Sequence, residues 1–152
     1  MKLLQQIETP LVSGDLEEVL RLTMEHLRAD TGTIHLLEGD GVLHLKAASG
    51  GIPAPVLKAV ELIPIGKGMA GLAVERKEPV SVCNLQSDAS GNVRPGAKAT
   101  GMEGAIVVPI FKGEQAVGAL GIANRGARTF TLEETAELTE VGRAIASQTK
   151  IL

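Results

Sequence analysis

Two neighbouring runs, Ala105-Ile106-Val107-Val108-Pro109-Ile110-Phe111 and Gln115-Ala116-Val117-Gly118-Ala119-Leu120-Gly121-Ile122-Ala123, are apolar at nearly every position. Only Lys112-Gly113-Glu114 separates them, so they read as an antiparallel hairpin. Strands without alternating polar residues are covered on both faces, which places this pair near the centre of a sheet with a layer on either side. Gly118, Ala119 and Gly121 let a neighbour approach the backbone closely. Pro109 donates no ladder bond, so its N side marks an edge, a bulge or the mouth of a pocket.

The remaining elements follow from their periods. Leu3, Leu4 and Ile7 begin an apolar lead-in over residues 1–14, with a break expected at Pro10. Leu16, Val19, Leu20 and Leu27 face one side of an amphipathic helix over residues 15–29, capped by Asp15 or Ser13, with Glu17, Glu18, Arg21, Glu25 and Arg28 on the other. The period then becomes two. Thr33-Ile34-His35-Leu36-Leu37 and Val42-Leu43-His44-Leu45-Lys46 are strands joined by Glu38-Gly39-Asp40-Gly41. Pairing Leu37 with Val42 sets His35 opposite His44, with Ile34, Leu36, Leu43 and Leu45 on the other face. A short helix is expected over residues 55–60, and Gly66-Lys67-Gly68-Met69-Ala70-Gly71 opens another. Residues 79–83 form a strand, and residues 86–101 a long excursion with a helical turn over 93–99. Thr131 and Glu134 have capping-box spacing at the start of a closing helix striped by Leu132, Leu138, Val141, Ile145 and Ile151.

Composition removes several function classes. The chain of 152 residues suits one domain of 1–152. Phe111 and Phe130 are its only aromatic side chains, so neither base stacking nor an aromatic cage is available. A net charge of -3 offers no polyanion-binding surface, so nucleic acid is not expected as a partner. No apolar run approaches the roughly 20 residues of a membrane span. Cys83 is the only cysteine, so no internal disulfide can form, and a reducing, cytoplasmic location is expected.

Several stretches, in this order, resemble the GAF domain family of small-molecule sensor domains. They are Ala48-Ser49-Gly50, Ile65-Gly66-Lys67-Gly68-Met69-Ala70-Gly71, Glu78-Pro79-Val80, Val107-Val108-Pro109-Ile110, Gly118-Ala119-Leu120-Gly121-Ile122, and Asn124-Arg125 with Phe130-Thr131. The resemblance covers roughly residues 10–150. It implies an α+β fold with a central antiparallel sheet of five or six strands. Terminal helices would cover one face; short helices and a long loop would roof a ligand pocket on the other. It also implies a core over 15–130, a signalling helix over 131–152, a homodimer through the terminal helices, and an effector domain or partner protein that reads the signal.

The chemistry-bearing residues narrow the expectation. Family members that reduce free methionine sulfoxide use several cysteines, some in the long loop; residues 86–101 contain none, and one thiol cannot close an intramolecular disulfide. Bilin attachment would need a loop cysteine beside a histidine, which is also missing. His35 and His44 are too few for zinc and read as a surface-facing pair; His26 reads as solvated. Free N–H groups of residues 66–71, where the chain enters a helix, could hold an anion, but the run lacks the spacing of a phosphate-binding loop. The resemblance implies that these glycines serve a tight strand-to-helix turn. Of the cyclic-nucleotide signature, Asn124 and Phe130 match, while Arg125, Glu134 and Thr135 replace Lys, Asp and Glu. The expectation is therefore a non-catalytic regulatory domain, not an enzyme. It would bind a small, anionic metabolite or nucleotide between the sheet and residues 84–104. Asn84, Asp88, Arg94 and Lys98, with Asn92, supply polar contacts, and Met102 and Pro109 supply apolar wall. Arg94 or Lys98 would pair a carboxylate or phosphate. No residue pattern names a cofactor. The alternatives are a ligand-free dimerisation module and a redox enzyme acting through Cys83.

Overall fold

The computed structural model describes residues 2–90, 92–93 and 98–148. In chain order the elements are α1 (Leu3–Gln6), α2 (Glu8–Ser13), α3 (Leu16–Leu27), β1 (Thr31–Leu37), β2 (Val42–Ala48), α4 (Ala54–Ala59), β3 (Leu62–Pro64), α5 (Gly68–Arg76), β4 (Val80–Val82), β5 (Gly104–Lys112), β6 (Gln115–Asn124) and α6 (Leu132–Gln148). The strands form one six-stranded sheet in the order β3-β2-β1-β6-β5-β4, antiparallel at every pairing. The apolar hairpin β5–β6 lies inside it, with β1 and β4 on its flanks.

Helices α1, α2, α3 and α6 pack on one face. Val19, Leu20 and Leu27 of α3 and Leu138, Val141 and Ile145 of α6 meet Ile34 and Leu36 of β1, Ile106, Val108 and Ile110 of β5, and Leu120 and Ile122 of β6. Each such side chain contributes about 1.5–3 kcal/mol when fully buried, so this layer is the main source of stability. Asp15 caps α3, its Oδ1 accepting from the Glu18 N–H at 3.1 Å. Thr131 and Glu134 close the expected capping box on α6: Thr131 Oγ1 accepts from Glu134 N at 3.0 Å, and Glu134 Oε1 accepts from Thr131 N at 2.9 Å. The expected stripe residue Ile151 and part of the turn over 93–99 lie outside the described residues.

The other face carries α4 and α5. Gly66 (φ +88°) and Gly68 (φ +65°) turn the chain from β3 into α5, as the glycine run implied. Pro109 sits where β5 has no partner on its outer side, because β4 pairs only with Ala105, Ile106 and Val107. No ladder bond is lost there.

Two local expectations are corrected. The lead-in does not break at Pro10, which lies in the first turn of α2, where its missing N–H costs nothing. The break falls one turn earlier, at Ile7. The β1–β2 register is also shifted: Leu37 pairs with Leu43, and an irregularity between Ile34 and His35 follows. His35 therefore opposes Leu45, and His44 opposes Leu36. His44 stays at the hairpin end, bonded to Asp40 at 2.7 Å. His26 joins α3 to α6 through Glu137 at 2.8 Å.

Candidate functional site

A cavity of about 410 Å3 lies between the sheet and the α4–α5 side of the molecule. Its floor is formed by β1, β5 and β6, with Ala105, Val107, Gly121 and Ala123 as the small or apolar positions. Ile52, Val56, Ala59 and Val60 close one side, Met69 and Ala70 another, and Leu85, Thr100 and Met102 the roof. The floor is open because its residues are small. Gly121 pairs with Thr33, and a Cβ there would stand 3.2 Å from Val107 Cγ2.

Polarity in this wall is concentrated on β1. Thr31, Thr33 and His35 occupy three successive positions of one strand face, and all three line the cavity. The intervening Ile34 and Leu36 point into the helical core, as the pleat requires. His35 is only 2% exposed. Its Nε2 lies 2.8 Å from the Val60 carbonyl oxygen. A carbonyl only accepts, so Nε2 carries the proton, and in the neutral ring Nδ1 is a bare acceptor. Among the described residues Nδ1 is buried without a partner. Burial pushes the His35 pKa below the ordinary histidine range, and the bond to Val60 opposes this only in part. The neutral ring is therefore the resting form near pH 7.

Lys67 is the only charged residue on the cavity wall among those described. It precedes α5 and provides no side-chain cap. The first intrahelical bond of α5 runs from Gly71 N to Lys67 O. The N–H groups of Gly68, Met69 and Ala70 have no partner among the described residues, and all three residues line the cavity. Groups of this kind can bond a ligand oxygen.

The site residues expected from the sequence divide sharply. Met102 is buried and lines the cavity. Pro109 does not reach it. Asn84, Asp88 and Lys98 also lie off the cavity wall, because their polar atoms are used within the excursion itself. Asn84 Nδ2 donates to Glu103 Oε1 at 3.0 Å, and its Oδ1 accepts from Gln86 N at 2.9 Å. Asp88 Oδ2 accepts from Ser90 Oγ at 2.7 Å, and Lys98 Nζ donates to the Asp88 carbonyl at 3.3 Å. Asn92 accepts from Arg76 at 3.5 Å. Arg94 lies outside the described residues. The surface-facing reading of His35 is corrected: it lies on the face opposite Ile34 and Leu36, but the α4 segment covers that face and Val60 bonds the ring, so the side chain is buried. Thr31, Thr33 and Thr100 were not put forward as site residues, and Lys67 entered only as part of the glycine run; the alternation of Thr33 and His35 with Ile34 and Leu36 was the available signal for the β1 positions.

The residues near the partial cyclic-nucleotide signature have a fastening role. Asn124 Nδ2 donates to the Arg28 carbonyl at 2.7 Å, tying β6 to the end of α3. Arg128, not Arg125, bonds Glu134 at 2.5 Å, and its guanidinium sits 4.4 Å from the Phe130 ring centroid. None of these residues lines the cavity. Cys83 is exposed and also lies off the wall. Among the described residues no cluster of potential ligands could hold a metal ion, and no helix is long and apolar enough to cross a membrane.

Residues 13–147 match the model of the GAF domain. No curated protein matches the sequence. Solved structures share the fold. The GAF domain from a phosphoenolpyruvate-protein phosphotransferase of Coxiella burnetii superposes with a TM-score of 0.78 at 22% identity, covering 96% of this chain and 89% of that one. A free methionine-R-sulfoxide reductase from Neisseria meningitidis, in complex with its substrate, gives 0.78 at 19% identity over 98% and 87%. A type II free methionine-R-sulfoxide reductase from Thermoplasma acidophilum gives 0.71 at 21% identity over 93% and 94%. These likenesses concern the fold. They correct the expectation of a non-catalytic regulatory domain, because the same architecture serves enzymes. That expectation rested on the number of cysteines in one loop, which bears on one way of recycling a thiol and not on catalysis in general.

Proposed function

The chain belongs to the GAF domain family, and on that premise we propose that it binds a small, largely apolar molecule in the cavity between β1, β5, β6 and the α4–α5 side. Two similar structures, both free methionine-R-sulfoxide reductases, are complexes with substrate, so the proposal concerns the site and its occupant. One observation carries it. A cavity of about 410 Å3, within the range of about 300–1,000 Å3 usual for ligand sites, has apolar walls and a few convergent polar groups. Three of the polar groups, on Thr31, Thr33 and His35, lie on β1, whose alternate residues Ile34 and Leu36 belong to the terminal-helix core. An occupant pressing on β1 therefore touches the strand that α3 packs against, and the floor residues of β5 and β6 belong to the strands that α6 packs against. This supports a sensing role with α6 as the signalling helix. Ligand that favours one arrangement of the roof would shift that equilibrium by its differential affinity.

The test is a thermal-shift screen of small apolar fragments against the protein and its Val107→Phe variant. Val107 is on the cavity floor, so the larger ring occupies ligand space. Compounds that stabilise the parent at concentrations of about 100 times Kd add roughly 2.7 kcal/mol. The proposal expects that gain to vanish in Val107→Phe. Compounds that stabilise both proteins equally would place binding elsewhere. Cys83→Ser is expected to leave binding unchanged, since Cys83 lies off the wall.

A homodimer through the terminal helices is a second proposal, supported by apolar side chains left outside the core. Leu4, Val12 and Leu132 are exposed on α1, α2 and α6, the last two at 73% and 91%. A cytoplasmic setting is proposed from the single cysteine.

A further inference from the structure

We infer that the polar seam of β1, ending at the bare Nδ1 of His35, favours ligands that present a hydrogen-bond donor, a hydroxyl or N–H, over ligands of the same shape that lack one. This rests on the cavity being the ligand site. The tautomer argument is chemical. Val60 accepts from Nε2, which leaves Nδ1 with a lone pair and nothing to donate. The orphan is also unusual. Buried side-chain acceptors in native proteins are nearly always paired, and His35 Nδ1 is the only buried, unpartnered side-chain N or O among the described residues. It is sealed from solvent, so a ligand donor reaches it only as the wall yields on a rotamer scale. The bond then formed relieves the cost of an unpaired buried acceptor. Thr33 and Thr31 continue the line at about 6.5–7 Å per step, and their hydroxyls can accept or donate. The apolar face opposite, from Val56 to Met102, holds the rest of the molecule. An ether or a ketone would leave Nδ1 unpaired and gain nothing there.

The experiment uses the whole chain labelled with 15N. Long-range imidazole spectra read the His35 tautomer directly. Indole, 3-methylindole and 1-methylindole then serve as probes. The first two keep the N–H, and the last two have equal size. The expected result is an Nε2–H tautomer, an Nδ1 shift on adding indole or 3-methylindole, and about tenfold weaker binding of 1-methylindole than of 3-methylindole. In His35→Leu the preference disappears. An Nδ1–H tautomer in the wild type overturns the inference without any ligand or variant. Equal binding of the two methylindoles at the cavity overturns it too, while leaving the cavity as the ligand site. No perturbation of cavity residues by any probe overturns the inference together with the reading on which it rests.

Discussion

His35 combines three properties seldom found together: almost complete burial, a fixed tautomer and an unpaired nitrogen. Its depressed pKa has a consequence for stability. Between the folded-state pKa and the ordinary value near 6.5, the unfolded chain binds more protons than the folded one. Stability contributed by the neutral ring is thus complete above about pH 6.5 and declines as pH falls through the unfolded value, levelling off below the folded one. Urea unfolding between pH 5 and 7.5 should show that decline, and His35→Leu should show less of it; equal slopes would contradict the burial argument. Gly71 makes a different kind of prediction. A Cβ there would stand 2.5 Å from the Pro64 carbonyl oxygen and 3.0 Å from Gly66 N, both backbone atoms that cannot rotate away. Gly71→Ala should cost about 1–3 kcal/mol in urea unfolding. A neutral substitution would show that α5 can lift from the β3 turn.

At the scale of elements, the start of α6 is the clearest case of local sequence setting local structure. Thr131→Ala removes one half of the capping box and should lower stability by about 1 kcal/mol, measured by thermal or urea unfolding. Backbone N–H donation from Thr131, with Arg128 beside it, holds the Glu134 carboxyl below the usual carboxylate range. Most elements were legible in this way, because periods of 2 and 3.6 and cap residues are local signals. The paired apolar strands, the glycine turn into α5 and the cap of α3 stand where the residues implied. The register of β1 on β2 was not legible. An irregularity between Ile34 and His35 leaves no mark in the residue pattern, yet it decides that His35 opposes Leu45. That the α4 segment covers the His35 face is equally absent from the local pattern, because it is a contact between distant segments. The polar excursion was misread for a second reason. Short Asn, Asp and Ser side chains bond their own neighbourhood, and here Asn84, Asp88 and Ser90 do so. Polar residues in a roof therefore need not point at what they cover.

At the scale of the whole molecule, the sheet separates two kinds of interior. One face is filled by large aliphatic residues from the terminal helices. The other keeps small residues in its floor and leaves a cavity. The cavity was not legible as a set because its walls come from separate segments between Thr31 and Ala123. What makes Ala105, Gly121 and Ala123 useful is the space they leave, and that has no signature in the chain. The dimer proposal also belongs to this scale. Sedimentation should give a dimer that weakens when Val12 and Leu132 are replaced together by Asp; a monomer at all concentrations would remove the proposal. The claim that one face of the sheet binds a ligand and the other does not is tested most directly by backbone amide shifts during an indole titration. The account predicts perturbations at residues 31–35, at Gly121, Ile122 and Ala123, and at the start of α5, with α3 and α6 changing less. Shifts confined to the terminal helices, or no shifts at all, would contradict it.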